Sequence, residues 1–145
     1  MSLTWNCESP AYWDKEKARI VGGVEAGALD FEAPAEGAVL PGVWWRVEQD
    51  GYVVAYGWMD VVWGEAEILL AVDDVARSIG VGGMVLDLLE AEAAERGLSY
   101  LYNTVPKGHP DREATTRWLS SRGFYQSADE ERLVRCVRGA ARKAA

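Results

Sequence analysis

Arg77, Gly80, Gly82 and Gly83 are the residues whose types and spacing most directly suggest chemistry. They fall in Arg77-Ser-Ile-Gly-Val-Gly-Gly83, just after Glu67-Ile-Leu-Leu-Ala-Val72, an apolar run the length of one buried strand. From Val81 onward the apolar spacing becomes Val81, Val85, Leu88, Leu89, which is one face of a helix. That helix ends at Arg96-Gly97, a cation in the last turn followed by a C-cap glycine. The unit is strand, glycine-rich turn, helix. The first amides of a helix have no intrahelical partner and carry partial positive charge. Glycines let an anion approach such a backbone, and Arg77 adds a forked, fully charged donor. The pattern predicts a phosphate or pyrophosphate at the N-terminus of the 81–96 helix. The plainer alternative is a turn that serves only strand–helix packing.

Two common phosphate loops are excluded. A kinase-type loop needs Gly-Lys, and the chain has no Gly-Lys pair. The dinucleotide fingerprint G-x-G-x-x-G fails at Val85, and the next strand, 98–105, ends in Thr-Val-Pro without an acidic tip. Arg77-Ser-Ile-Gly80-Val-Gly82 does match R/Q-x-x-G-x-G/A, and so resembles the signature of the GCN5-related N-acetyltransferases (GNAT). The later Trp118-Leu-Ser-Ser-Arg-Gly-Phe124 is similar to that family's closing element, Y-x-K-x-G-F. Together the similar elements span roughly residues 52 to 138.

Around these motifs the expected elements follow in order. Ser9-Pro10 reads as a helix start, with a helix over 12–21 stopped by Gly22-Gly23. Residues 24–42 read as a long loop. Asp50-Gly51 between Val43–Glu48 and Tyr52–Trp58 is a hairpin signal. A connection over 59–64 leads to a strand over 65–72, and the strand over 98–105 lies parallel to it through the crossover helix. A helix over 112–122 and a closing hairpin, 124–126 with 131–137, complete the expectation. The fold class is α+β: a GNAT-like mixed, mostly antiparallel sheet flanked by helices. One domain covers 1–138, and 139–145 form a small basic tail expected to fray.

The resemblance implies acetyl-coenzyme A as cosubstrate and an N-acetyltransferase acting on the primary amine of a small molecule or exposed amino group. It places the pyrophosphate on Arg77, Ser78, Ile79, Gly80, Val81, Gly82 and Gly83. Leu70, Ala71 and Val72 fall where backbone groups pair with the pantetheine arm. Asn103 falls where the family's sheet splays, to meet the pantetheine amides or substrate, or simply to satisfy the core. Glu67 matches the position that often holds the base, with Glu65 and Asp60 in reserve. The usual acid, a Tyr, falls on Leu119, which cannot donate a proton, and the usual Asn falls on Arg112. Candidates in its place are Tyr102, Tyr100, Ser120, Ser121 and His109, the only histidine. Leu119 also suggests an alternative, a non-catalytic coenzyme A-binding regulatory or interaction module; a purely structural domain is a third reading.

Composition bounds the rest. A formal net charge of −8 argues against nucleic acid and is compatible with a cationic amine or with plain solubility. Neither a membrane span nor a secretion signal is evident, so a cytoplasmic protein is expected. Cys7 and Cys136 read as free thiols, with no metal-ligand spacing. Trp44, Trp45, Trp58 and Trp63 suggest core packing or, in part, an aromatic acceptor pocket. A homodimer through a sheet edge or the tryptophan-rich hairpin is left open.

Overall fold

The computed structural model of the chain describes residues 3–24, 32–128 and 131–137. They divide into two compact units, one of residues 3–24, 32–60 and 69–89, the other of residues 61–68, 90–128 and 131–137. The element order is β1 (Leu3–Glu8), β2 (Ala11–Tyr12), α1 (Lys15–Ile20), β3 (Val39–Leu40), β4 (Val43–Gln49), β5 (Tyr52–Val62) and β6 (Glu65–Val72). A 3-10 helix (Asp74–Ile79), α2 (Val81–Glu95), β7 (Tyr100–Thr104), α3 (Arg112–Ser121), β8 (Tyr125–Gln126) and β9 (Arg132–Cys136) follow. The strands run β1-β4-β5-β6-β7-β9-β8 in one sheet, with β2-β3 a separate pair. The fold is the expected mixed, mostly antiparallel α+β class.

In the first unit the Asp-Gly hairpin forms as expected. Asp50 and Gly51 both take positive φ, 50° and 87°, the two-residue turn whose twist suits paired strands. Adjacent Trp44 and Trp45 point to opposite faces of β4, yet both are buried at 1% exposure. Trp44 stacks on Trp58 at 4.3 Å and Trp45 on Trp5 at 5.4 Å, so three of the four hairpin tryptophans are core. Gly57, opposite Trp45, leaves the space that Val85 and Leu89 of α2 fill.

At the N-terminus one element is added and one expectation is corrected. Leu3–Glu8 is a strand antiparallel to β4, and the helix begins at Lys15, not near Pro10. Asp14 is its cap: the Lys17 amide donates to Asp14 Oδ1 at 2.9 Å. The Lys17 ammonium is fully buried, donating to Glu8 Oε1 at 2.6 Å and Asp14 Oδ2 at 3.1 Å, and lies 4.9 Å from the Tyr56 ring centroid. Burial, then the nearby Asp14 and Glu8 carboxylates, push the Tyr56 phenol well above its ordinary range.

In the second unit the expected connection over 59–64 is largely strand. β5 runs on to Val62 and the chain turns at Trp63-Gly64, both with positive φ, leaving Trp63 97% exposed. Parallel pairing of β6 with β7 is as expected, in the register Glu65↔Tyr100, Ala66↔Leu101, Glu67↔Tyr102. The helices that end at Gly97 and Gly123 close with the same pair of hydrogen bonds. Gly97 N–H donates to Ala94 O and Leu98 N–H to Ala93 O; Gly123 N–H donates to Ser120 O and Phe124 N–H to Leu119 O. Buried Arg135 of β9 pairs with Glu90 of α2. Part of the 24–42 loop (residues 25–31) and the 139–145 tail lie outside the described residues. No helix among the described residues is long and apolar enough to cross a membrane.

Candidate active site

The first group of candidate residues lies where β6 ends. Asp73 N–H donates to Val54 O at 2.8 Å, and the Asp73 carboxylate pairs with Arg19 of α1, which also donates to Val53 O at 2.9 Å. Residues 74–79 do not form an open loop. They wind into a 3-10 helix anchored by buried Ala76. Residues three apart eclipse in such a helix, and Arg77 accordingly meets Asp74 Oδ1 at 2.7 Å. Its Nε donates to Val72 O at 3.1 Å, which fixes the half-exposed guanidinium at the strand's end.

Gly80 then takes φ 83°, the left-handed conformation that resets the chain axis between the 3-10 helix and α2. The ladder of α2 begins with Met84 N–H donating to Gly80 O at 3.2 Å, so the amides of Val81 and Gly82 precede it. A helix N-terminus is a donor set suited to a phosphate, and Arg77 precedes it in the chain by one turn. Open space surrounds the Cα of Gly80, where a Cβ would meet nothing within 4 Å. These residues fit a pyrophosphate. Ala71 and Val72 are buried and Leu70 is half-buried just upstream.

The second group lies in the other unit, where the β6–β7 ladder stops. Beyond the Glu67↔Tyr102 pair, the side chain of Asn103 replaces a backbone donor, its Nδ2 reaching Ile68 O at 2.7 Å. Thr104 Oγ1 donates to Glu67 Oε2 at 2.9 Å, orienting that half-buried carboxylate. Tyr102 lies in the same register row as Glu67, and the Arg132 guanidinium sits 4.2 Å from its ring centroid.

His109 is engaged locally. Asp111 N–H donates to its Nδ1 at 2.9 Å, and Thr115 Oγ1 lies 3.4 Å from Nε2, so the ring braces the start of α3. Leu119, at the position where the resemblance implies Tyr, is buried with Phe124 at the helix end. Ser121 Oγ donates to the Trp118 carbonyl at 2.6 Å. Of the tryptophans proposed for an acceptor wall, Trp44, Trp45 and Trp58 are core and Trp63 is at a turn tip, so that wall is not built from them. Thr104 and Arg132 are the residues that the motifs missed. Thr104 alternates with Tyr102 and was findable by that spacing, whereas Arg132 arrives through a pairing distant in sequence.

Comparison with known proteins bears on the family and the fold. The family model for the acetyltransferase (GNAT) family matches residues 4–124. No curated protein matches the chain by sequence. Among solved structures, the chain is similar to the ribosomal-protein-S18-alanine N-acetyltransferase of Escherichia coli, with TM-score 0.63 and 19% identity over 94% of each chain. It is similar to the N-acetylglutamate synthase of Neisseria gonorrhoeae, complexed with coenzyme A and N-acetyl-glutamate, with TM-score 0.68 and 19% identity over 93% of this chain and 35% of that one. A phosphinothricin acetyltransferase of Sinorhizobium meliloti in complex with AcCoA aligns with TM-score 0.54 and 14% identity over 66% of this chain and 61% of the other. At these identities the structural likeness speaks for the fold, and the family match covers most of the sequence. The chain belongs to the GNAT family of acetyltransferases.

Proposed function

We propose that the protein transfers an acetyl group from acetyl-coenzyme A to a primary amine by direct attack in a ternary complex, as a single catalytic domain over residues 1–138. The observation that carries this reading is the end of β6: Arg77 bonded to Val72 O, Gly80 in the left-handed conformation, and the start of α2 immediately after it. The solved neighbours bound to coenzyme A or AcCoA support the same cosubstrate. Arg77 and the Val81–Gly83 segment hold the pyrophosphate. When bound, acetyl-coenzyme A supplies a thioester carbonyl activated for attack.

Glu67 takes the proton of the incoming ammonium, with Thr104 holding its carboxylate in place. The amine nitrogen bonds to the acetyl carbon, the carbon–sulfur bond breaks, and ammonium plus thioester become amide, thiol and one proton. With Leu119 buried, no Tyr stands at the family's acid position. A thiol of ordinary pKa is a tolerable leaving group near neutral pH. Tyr102 remains the nearest hydroxyl in the Glu67 row, whereas the contacts of His109 favour a bracing role.

The same Leu119 favours a second reading, a coenzyme A-binding module without transfer. Thiol release across an amine panel decides between them. Transfer predicts release with at least one acceptor, and Glu67→Gln lowers kcat/KM about a hundredfold or more. Release that persists within threefold in Glu67→Gln removes Glu67 from the mechanism; none with any amine favours the module.

A further inference from the structure

Pairing in the second unit puts Glu67, Tyr102, Val134 and Tyr125 in one row across β6, β7, β9 and β8. Thr104 and Arg132 face each other in the same set. Residues directly opposite, or two apart on one strand, share a face. Leu101, Leu133 and Arg135 alternate to the other side and are buried. Glu67, Tyr102, Thr104 and Arg132 therefore share one half-exposed face.

The two arginines of β9 differ in what they meet. Arg135 has the Glu90 carboxylate. Arg132 has an aromatic ring, and among the described residues no carboxylate lies within ion-pair distance of it. Its Nε is buried without a hydrogen-bond acceptor. Glu67, on the same face, is bonded by Thr104 and not by Arg132. Thus a carboxylate and a guanidinium share one face without pairing. Two strand spacings and two residues of rise put their Cα atoms about 12 Å apart, a gap that the side chains narrow from both ends.

We propose that the acceptor is a small zwitterion, an amino acid whose ammonium is taken by Glu67 and whose carboxylate is held by Arg132. The assignment rests on the reading of Glu67 as the base. A buried charged donor without an acceptor calls for one, and a guanidinium fork matches a carboxylate through two parallel bonds. Stacking on Tyr102 leaves the in-plane donors available. A zwitterion also meets less repulsion than a net anion in a chain of charge −8.

The test uses the full chain and two readouts. Ligand-observed NMR compares N-acetyl derivatives of the common amino acids with their C-terminal amides, without acetyl-coenzyme A. Thiol release then compares the free amino acids with their amides and with simple alkylamines. We expect at least one N-acetyl amino acid to bind while its amide binds tenfold or more weaker. Arg132→Gln weakens the acid by about tenfold or more and leaves the amide unchanged; Arg132→Lys, which keeps charge but loses the fork, falls between. Equal binding of acid and amide, no binding of any acid, or an unchanged affinity in a folded Arg132→Gln overturns the proposal. Should that variant not fold, the acid–amide contrast in the wild type and Arg132→Lys decide. Acetylation of alkylamines and amides as readily as acids sinks the zwitterion and leaves the transferase intact. Binding of acids through Arg132 without thiol release from any amine does the reverse.

Discussion

Gly57→Ala tests how closely α2, whose first turn carries the proposed phosphate site, is seated on β5. A Cβ at Gly57 would stand 2.7 Å from Val85 Cγ1 and 3.3 and 3.4 Å from the Leu89 methyls. Carbon atoms prefer about 3.5–4.0 Å, so the helix must retreat by about 1 Å or Val85 must turn. A helical Val is held strongly to one rotamer, which makes turning unfavourable. Overpacking of this kind costs about 1–3 kcal/mol, against about 0.4–1 kcal/mol recovered by restricting the unfolded chain. The net loss of roughly 1–2 kcal/mol lowers Tm by about 2–8 °C in a domain of this size. Urea melts followed by tryptophan fluorescence, with Gly108→Ala as control, measure it; a Cβ at Gly108 meets nothing within 4 Å. Because a retreat of α2 moves its N-terminus, acetyl-coenzyme A binding should weaken as well. A Gly57→Ala protein as stable as the wild type would refute the packing argument.

Three further outcomes follow from single groups. Lys17→Ala leaves the Glu8 carboxylate without its closest cation and should cost about 3 kcal/mol in urea unfolding; a loss below 1 kcal/mol contradicts the assigned pairing. Tyr56→Phe removes a buried hydroxyl that lacks a hydrogen-bond partner, so the variant should be as stable as the wild type or about 1 kcal/mol more stable at pH 7. The folded state holds the Tyr56 proton more tightly than the unfolded state does. That contribution is intact below about pH 10, the unfolded value, and is lost as pH rises through the folded one. Wild-type stability should therefore fall more steeply above about pH 10 than that of Tyr56→Phe, as denaturant midpoints at successive pH values will show; parallel curves would refute it.

What the sequence made legible was local. Gly97 ends its helix by chemistry carried in four or five residues, so that reading holds. Asp50-Gly51 fixed a hairpin for the same reason. The failures involve partners distant in sequence. Leu3–Glu8, for which no element was expected, is a strand because β4 lies beside it. Trp44 and Trp45 are both core because both faces of β4 are covered, which alternation alone does not reveal. Arg132 meets Thr104 and Tyr102 only through β7–β9 pairing. The local contacts of His109 with Asp111 N–H and Thr115 are side-chain geometry that residue types alone do not display.

The central claim, that the end of β6 and the start of α2 hold acetyl-coenzyme A, is tested most directly by isothermal titration of the cosubstrate into the full chain. Wild type and Arg77→Ala are compared; Arg77 is half-exposed, so its loss should leave the fold intact. The account predicts saturable one-to-one binding by the wild type. It predicts an affinity lower by about tenfold or more in Arg77→Ala, roughly the 1.4 kcal/mol of a charge-assisted phosphate contact. No binding by the wild type, or equal binding by both proteins, would contradict it.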